Sequence, residues 1–415
     1  MKKILLFGPE VTDFLNPLAM KLKQLGYTVD LIENRKSPRN NISITESYST
    51  VLDYLDIVGK RISIADILRY LLKKEFIKKF FKEVFVNCLE GKCKIIQSFK
   101  NCLNNQLLKE RFTPILNNYD IINFHSLSPS TLAFTDFIKP DKKVILSFWG
   151  SDLYQINGIK NYIDQINALK RADLITLQSY EMELTVLAKF GSVIKGKIVR
   201  ALFGINDSVF DKLDKIKDAG LDTDFLKKYC IPENKIKVTI CYCGNPVCNQ
   251  IPIINELEKL NETLKDKIHL MVPMTYGNYS TDYLEEIKLL LHRSKITFTL
   301  LEKYLPYEDV LKMRVSSDIM IMMNKSDALS QSVSEFLYAE NILISAAWLP
   351  YSPFRLKEIF MYESDFPGLS EMVSNAVKNL QTLKNNLKEN PQKVKNLTAF
   401  SNLWQQWPEM LENLN

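Results

Sequence analysis

Glycine is scarce in this chain, and its scarcity excludes one large class of sites. There are 13 glycines in 415 residues, and after the first apolar run, Ile4 to Phe7, only Gly8 stands where a dinucleotide-binding turn needs three. A nicotinamide or flavin site there is not expected. Histidine is scarcer, at three. Cys241, Cys243 and Cys248 lie close in sequence, but without a second pair or nearby histidines they do not make a zinc pattern. The seven cysteines are odd in number and scattered, so they form no disulfide framework of the small secreted type and fit a reducing cytoplasm. No run approaches the length of a transmembrane helix, and the opening MKKILLFGPEVTDF reads as a first strand and loop rather than a signal peptide. Internal repeats and low-complexity tracts are absent too.

What is present describes two domains of ordinary size. Hydrophobic residues at 46% and charged residues at 25% belong to a globular chain, and 415 residues allow two cores. Charge is uneven along it. Residues 1–200 carry 30 Lys and Arg against 20 Asp and Glu, a net of +10, while the other 215 carry 24 against 28, a net of −4, giving +6 in all. A basic first half predicts an anionic partner, whether nucleic acid, a phosphorylated lipid or a membrane surface. The excess concentrates in an insert, residues 60–111, with 13 Lys and Arg against 5 acids. Phe76, Ile77, Phe80, Phe81 and Val84 fall on one side of a helical projection there, and Lys74, Lys78, Lys79 and Lys82 on the other. Such a helix either lies in an anionic membrane interface or packs on a core with a solvated basic face. No nucleic-acid-binding motif accompanies the charge, so no nucleic acid is expected.

Apolar runs of strand length alternate with helix-period segments, which predicts an α/β fold of doubly wound parallel sheets. In such sheets ligands gather at the carboxyl ends of strands. Three first-half turns are placed there: Gly8, His125 after Asp120–Phe124, and Trp149-Gly-Ser-Asp152 after Lys143–Phe148. Gly8 is either a turn residue or part of a site, His125 a base, a ligand-binding group or a structural hydrogen bonder, and Asp152 a proton acceptor or a helix cap. A strand ending near Phe203 followed by Gly204 marks the crossing into a second domain.

The second domain offers three more turns. Gly244 lets a ligand approach the backbone after Lys237–Cys241, with Asn245 and Asn249 as uncharged hydrogen-bonding groups. Tyr276 and Gly277 follow His269–Pro273, and Tyr276 either stacks on a base or is a buried aromatic. The third turn, after Asp318–Met323, leads into a helix whose N-terminus presents Ser330, Gln331 and Ser332 to an anion. Asp327 and Glu335 flank that start, as ligand-binding carboxylates or as a turn former and a solvated helix residue.

The acidic residue followed after seven residues by Glu335, late in an alternating chain, resembles the donor-site signature of nucleotide-sugar glycosyltransferases with the two-domain GT-B fold. Trp149-Gly-Ser-Asp-Leu-Tyr154, Gly244-Asn-Pro-Val-Cys-Asn249 and Val272-Pro-Met-Thr-Tyr-Gly-Asn278 resemble motifs of the bacterial transferases that move 4-acetamido-4,6-dideoxygalactose onto a lipid-linked sugar. The resemblance implies two Rossmann-like domains facing a cleft, over 1–203 and 204–390, with a C-terminal helix over 391–415 crossing back. It implies a glycosyltransferase of bacterial cell-surface polysaccharide synthesis, cytoplasmic or peripheral on the inner membrane face. The donor is then a UDP, TDP or GDP sugar, the acceptor a glycan or lipid-linked sugar, and no metal or cofactor is required. It further implies donor contacts at Gly244, Asn245, Asn249, Tyr276, Gly277, Ser330, Gln331, Ser332 and Glu335, with Glu335 on the ribose. Acceptor contacts fall at Gly8 and Trp149, and catalytic roles at His125, Asp152 and Asp327. A nucleotide-sugar epimerase or a non-catalytic partner subunit on the same fold stay open as alternatives.

Overall fold

The computed structural model describes residues 2–8, 12–33, 47–59, 62–91, 94–194, 196–220 and 222–414. It divides into two compact units, residues 1–203 with 404–415, and residues 204–403. In the first unit seven strands run parallel: β1 Lys3–Phe7, β2 Thr28–Glu33, β3 Thr50–Asp53, β4 Ile121–His125, β5 Lys143–Ser147, β6 Leu174–Leu177 and β7 Ile198–Arg200. Their order is β3-β2-β1-β4-β5-β6-β7. The second unit has six parallel strands: β8 Ile236–Ile240, β9 Ile268–Pro273, β10 Thr297–Leu301, β11 Ile319–Met322, β12 Ile342–Ala346 and β13 Tyr362–Ser364, in the order β10-β9-β8-β11-β12-β13. Both sheets are covered by helices, which is why strands such as Ile-Met-Ile-Met in β11 are apolar without alternation.

Chain direction across each sheet reverses once, between β1 and β4 in the first and between β8 and β11 in the second. The loops leaving those strands spread to opposite faces and open a crevice at the carboxyl ends. Gly8 and His125 therefore stand at one switch point, and the Gly244 and Asp327 turns at the other.

Three features correct or add to these expectations. The edge strands β3 and β13 were not expected, because Thr-Val-Leu-Asp and Tyr-Glu-Ser are too short and too polar to show a period. The return of the chain to the first unit begins at Trp404 rather than at residue 391. Residues 390–398 form a helix that packs on helix Gln331–Tyr338 and stays with the second unit, where Gly204, Ile205 and Phe400 meet: Ile205 pairs with Ala399. In the insert, Phe76 is buried and Phe80 packs beside it against Tyr70, Cys102 and Leu103, so for these two residues the core-packed reading of the helix holds.

Among the described residues no helix is long and apolar enough to cross a membrane.

Candidate functional site

At the second switch point two loops are pressed together through glycines. The Gly244 N–H donates to the Tyr276 carbonyl at 2.8 Å. A Cβ on Gly244 would fall 2.5 Å from Cε1 of Tyr279, and one on Gly277, whose φ is +123°, would fall 2.7 Å from the Asn245 nitrogen. Only residues without a side chain allow this approach. The two asparagines do structural work in the same place. The Asn245 Oδ1 accepts from the Val247 N–H at 3.0 Å, and Asn249, in the left-handed region, donates from Nδ2 to the Met323 carbonyl at 2.7 Å. Asn245 braces the loop after β8 from within, and Asn249 ties it to the end of β11. Beneath them Cys243 and Cys248 lie with their sulfurs 3.5 Å apart, and the Cys241 thiol donates to the Cys248 carbonyl at 3.0 Å. Tyr276 stays exposed at the rim of this cluster.

The loop after β11 joins it: the Lys325 N–H donates to the Val247 carbonyl at 2.8 Å. Asp327 is only half-buried by its own surface, yet its carboxyl sits deep enough that desolvation raises its pKa, against the pull of its hydrogen bonds. Its Oδ2 accepts from the Tyr351 hydroxyl at 2.7 Å and from the Ser330 N–H at 3.2 Å. Ser330 is the N-cap of helix Gln331–Tyr338 but makes no side-chain cap bond. The N–H groups of Gln331 and Ser332 have no partner among the described residues, so the dipole end of this helix is open to an anion.

Glu335 takes a different place from the one expected of it. It is buried, its Oε1 accepting from Tyr307 Oη at 2.9 Å and Gln331 Nε2 at 2.7 Å, and its Oε2 from Arg314 Nε at 3.3 Å. Both oxygens are engaged within the protein. Arg314, equally buried, also donates from Nη2 to the Ser332 hydroxyl at 3.2 Å, while its Nη1 has no partner among the described residues. A buried guanidinium nitrogen without an acceptor is costly, and the Phe336 ring, whose centroid lies 4.2 Å from the guanidinium carbon, offsets part of that cost. Arg314, Tyr307 and Tyr351 were missed from sequence. Tyr351 carried the only signal, standing in a Pro-rich turn after a buried strand.

In the first unit the expected residues do meet, but as structure. His125 is fully buried, with neither ring nitrogen hydrogen-bonded, and lies within 6.4 Å of the rings of Trp149, Phe203 and Trp407. Burial pushes its pKa down to about 3, so the imidazole is neutral and a weak base at neutral pH. Trp149 stacks on Phe203 with centroids 4.4 Å apart. Asp152 accepts four bonds, from the N–H groups of Leu127, Trp149 (to both oxygens) and Gly150, at 2.8–3.1 Å. Burial still raises its pKa to about 6. With both oxygens taken, Asp152 locks the turn after β5 to the turn after β4. The catalytic roles expected of His125 and Asp152 are therefore not supported by this arrangement: the one is sealed by rings and the other is spent on backbone. Gly8 simply closes β1 by donating to the Ile32 carbonyl at 3.3 Å.

Two parallel sheets in these strand orders, on two units joined at residues 203 and 204, define the GT-B fold. Solved glycosyltransferases share it along the whole chain. The chain is similar to Anabaena Alr3699/HepE in complex with UDP-glucose, at a TM-score of 0.70 and 10% identity, with all of both chains covered. It is similar to a glycosyltransferase from Rickettsia africae ESF-5, at 0.67 and 14%, covering 100% of this chain and 98% of that one. For the sucrose-phosphate synthase of Thermosynechococcus elongatus the values are 0.67 and 12%, covering 100% and 99%. No family model matches the sequence, and no curated protein matches it either. The likeness to dideoxygalactose transferases thus rests on the short motifs alone.

Proposed function

We propose that this chain is a glycosyltransferase whose second unit takes a nucleotide-diphosphate sugar and whose basic first unit holds a glycan or lipid-linked acceptor, in bacterial cell-surface polysaccharide synthesis. The observation that carries this reading is the open N-terminus of helix Gln331–Tyr338 at the β8–β11 switch point, beside the unmatched Arg314 nitrogen. Free N–H groups, a helix dipole and a guanidinium converge where a diphosphate leaving group needs counter-charge, and we propose that they supply it without a metal ion. Gly244 and Gly277 let the loops after β8 and β9 close on each other at this strand end, with Gly277 exposed at the surface, and Tyr276 offers a ring for the nucleotide's base. Asp327 contacts the transferred sugar in this reading. Glu335 acts at one remove, orienting Arg314 and Gln331. UDP-glucose is the first donor to try, because the Anabaena protein binds it.

Glu335→Ala is a poor test, since it would leave Arg314 buried and unpaired at a cost of about 3–5 kcal/mol whatever the ligand. Ser332→Asp is a better one. Arg314 Nη2 already bonds the Ser332 side chain, so the new carboxylate gains a partner while it repels an incoming diphosphate. Thermal shift with UDP and UDP-glucose, with and without EDTA, is expected to stabilise the wild type by roughly 2.7 kcal/mol at about a hundred times Kd. In Ser332→Asp the shift should fall at least tenfold in apparent affinity, with the unliganded melting temperature held. If no nucleotide diphosphate or nucleotide sugar shifts the wild type, the transferase reading fails and a non-catalytic partner subunit takes its place.

A further inference from the structure

The helices between β3 and β4 build a small core of their own. Tyr70, Phe76, Cys102 and Leu103 are buried at its centre, with Ile67, Phe80 and Phe99 packed around them. That face meets the folding requirement of helices Ile64–Leu71 and Lys74–Leu89, yet each keeps a second apolar face. On the longer helix Phe81, Phe85 and Leu89 recur every four residues, so they share one side, and Phe85 projects opposite the buried Phe76. Phe81 and Phe85 are each 64% exposed. From the shorter helix Ile64 and Leu68, with Leu72 just beyond its end, recur in the same way and are equally open. Ten of the 23 exposed large apolar side chains among the described residues lie between Ile64 and Ile96. Single exposed apolar residues are ordinary, but a periodic second face is not.

Charge decides what covers it. Lys74 and Lys78 project from the same arc as Phe81 and Phe85, are exposed, and have no carboxylate partner among the described residues. The acids of this region are mostly turned to internal work. Asp66 and Glu110 hold Arg69, Glu110 also holds Lys73, Glu83 accepts from Asn101 and Cys102, and Glu90 accepts from the Lys160 N–H. Lysine among aromatic rings is disfavoured in protein interfaces. At a lipid surface the same mixture is favourable: rings enter the boundary between headgroups and acyl chains, while lysine stems lie along it and their ammonium groups reach the phosphates.

We propose that the outer faces of helices Ile64–Leu71 and Lys74–Leu89 form a docking surface for an anionic lipid bilayer. The face differs from the one expected from sequence. Phe76 and Phe80 are core, and Phe85, Leu89, Ile64, Leu68 and Leu72 take their place. The inference does not depend on the transferase reading, because it uses no residue of the nucleotide site.

The test is flotation of the full chain with vesicles of phosphatidylcholine alone and of phosphatidylcholine with phosphatidylglycerol, alongside the UDP thermal shift. The wild type is expected to bind the anionic vesicles only, and less as salt rises. Lys74→Gln with Lys78→Gln should weaken binding about 25-fold, from about fivefold for each basic residue near an anionic surface. Phe81→Ser with Phe85→Ser should remove binding; both positions are exposed, so the melting temperature and the UDP response should stay. The proposal is overturned if the wild type ignores anionic vesicles or binds neutral ones equally well. It is overturned too if the Phe81→Ser and Phe85→Ser protein changes only from dimer to monomer while vesicle binding persists.

Discussion

A histidine enclosed by three aromatic rings reports on its surroundings through pH. The His125 pKa falls from an ordinary 6.5 to about 3 because burial penalises the imidazolium, and no hydrogen bond offsets it. A folded pKa below the unfolded one means that the unfolded chain binds more protons between these two values, so stability is present above about pH 6.5 and is lost as pH falls. From pH 7 to pH 5 this one residue should cost about 2 kcal/mol. Asp152, raised from 3.8 to about 6, acts in the opposite sense, its burden on folding growing as pH rises through the same range. His125→Phe separates the two, since a phenyl ring suits the aromatic enclosure and cannot charge. We expect the variant to lose about 2 kcal/mol less than the wild type between pH 7 and pH 5 in urea unfolding. Equal losses in the two proteins would show that His125 already finds a proton-sharing partner.

At the scale of elements, the second switch point depends on how closely the loop after β8 approaches the loop after β9. Gly244→Ala would push a methyl group into the Tyr279 ring, whose hydroxyl is fixed to the Met274 carbonyl at 2.7 Å, with the Met274 side chain also 3.1 Å away. Overpacking of this kind costs about 1–3 kcal/mol. The variant should melt lower by that amount and bind UDP more weakly, in calorimetric titration, than a control such as Leu289→Ala on an exposed helix face. A variant of unchanged melting temperature and affinity would show that the loops have room to part.

This is also the scale at which sequence was most and least informative. Buried strands such as Ile319–Met322 show as apolar runs, and the turns that follow them show as Gly, Asn, Ser and Asp, so the positions of Gly244, Gly277 and Ser330 at strand ends were legible. Side-chain partnerships were not. Whether Glu335 faces a ligand or Arg314 depends on a residue 21 positions earlier at the end of another helix, and no local period carries that. The same holds for Asp152, whose spacing before a helix is right for a cap and a site alike. The three N–H groups that claim it, two from its own turn and one from Leu127, become visible only when the turns after β4 and β5 lie side by side.

For the whole molecule, the chain leaves the first unit at Phe203, builds the second, and returns at Trp404. Each unit has its own parallel sheet and its own core, so each is expected to have its own stability. The returning segment completes the first. Trp407 is 3% exposed and lies 6.1 Å from Phe203 and 6.4 Å from His125, centroid to centroid, while the Lys21 ammonium sits 4.5 Å over the Trp404 ring. Trp407→Ala removes the buried ring of this segment at a cost of about 3–5 kcal/mol, which falls on the first unit. Scanning calorimetry in the presence and absence of UDP distinguishes the units, because a ligand held by the second raises only that unit's transition. We expect Trp407→Ala to lower the transition that UDP leaves unmoved, with UDP binding retained. If both transitions fall together, or a single transition carries the whole enthalpy, the units unfold as one body and the last twelve residues stabilise the entire chain.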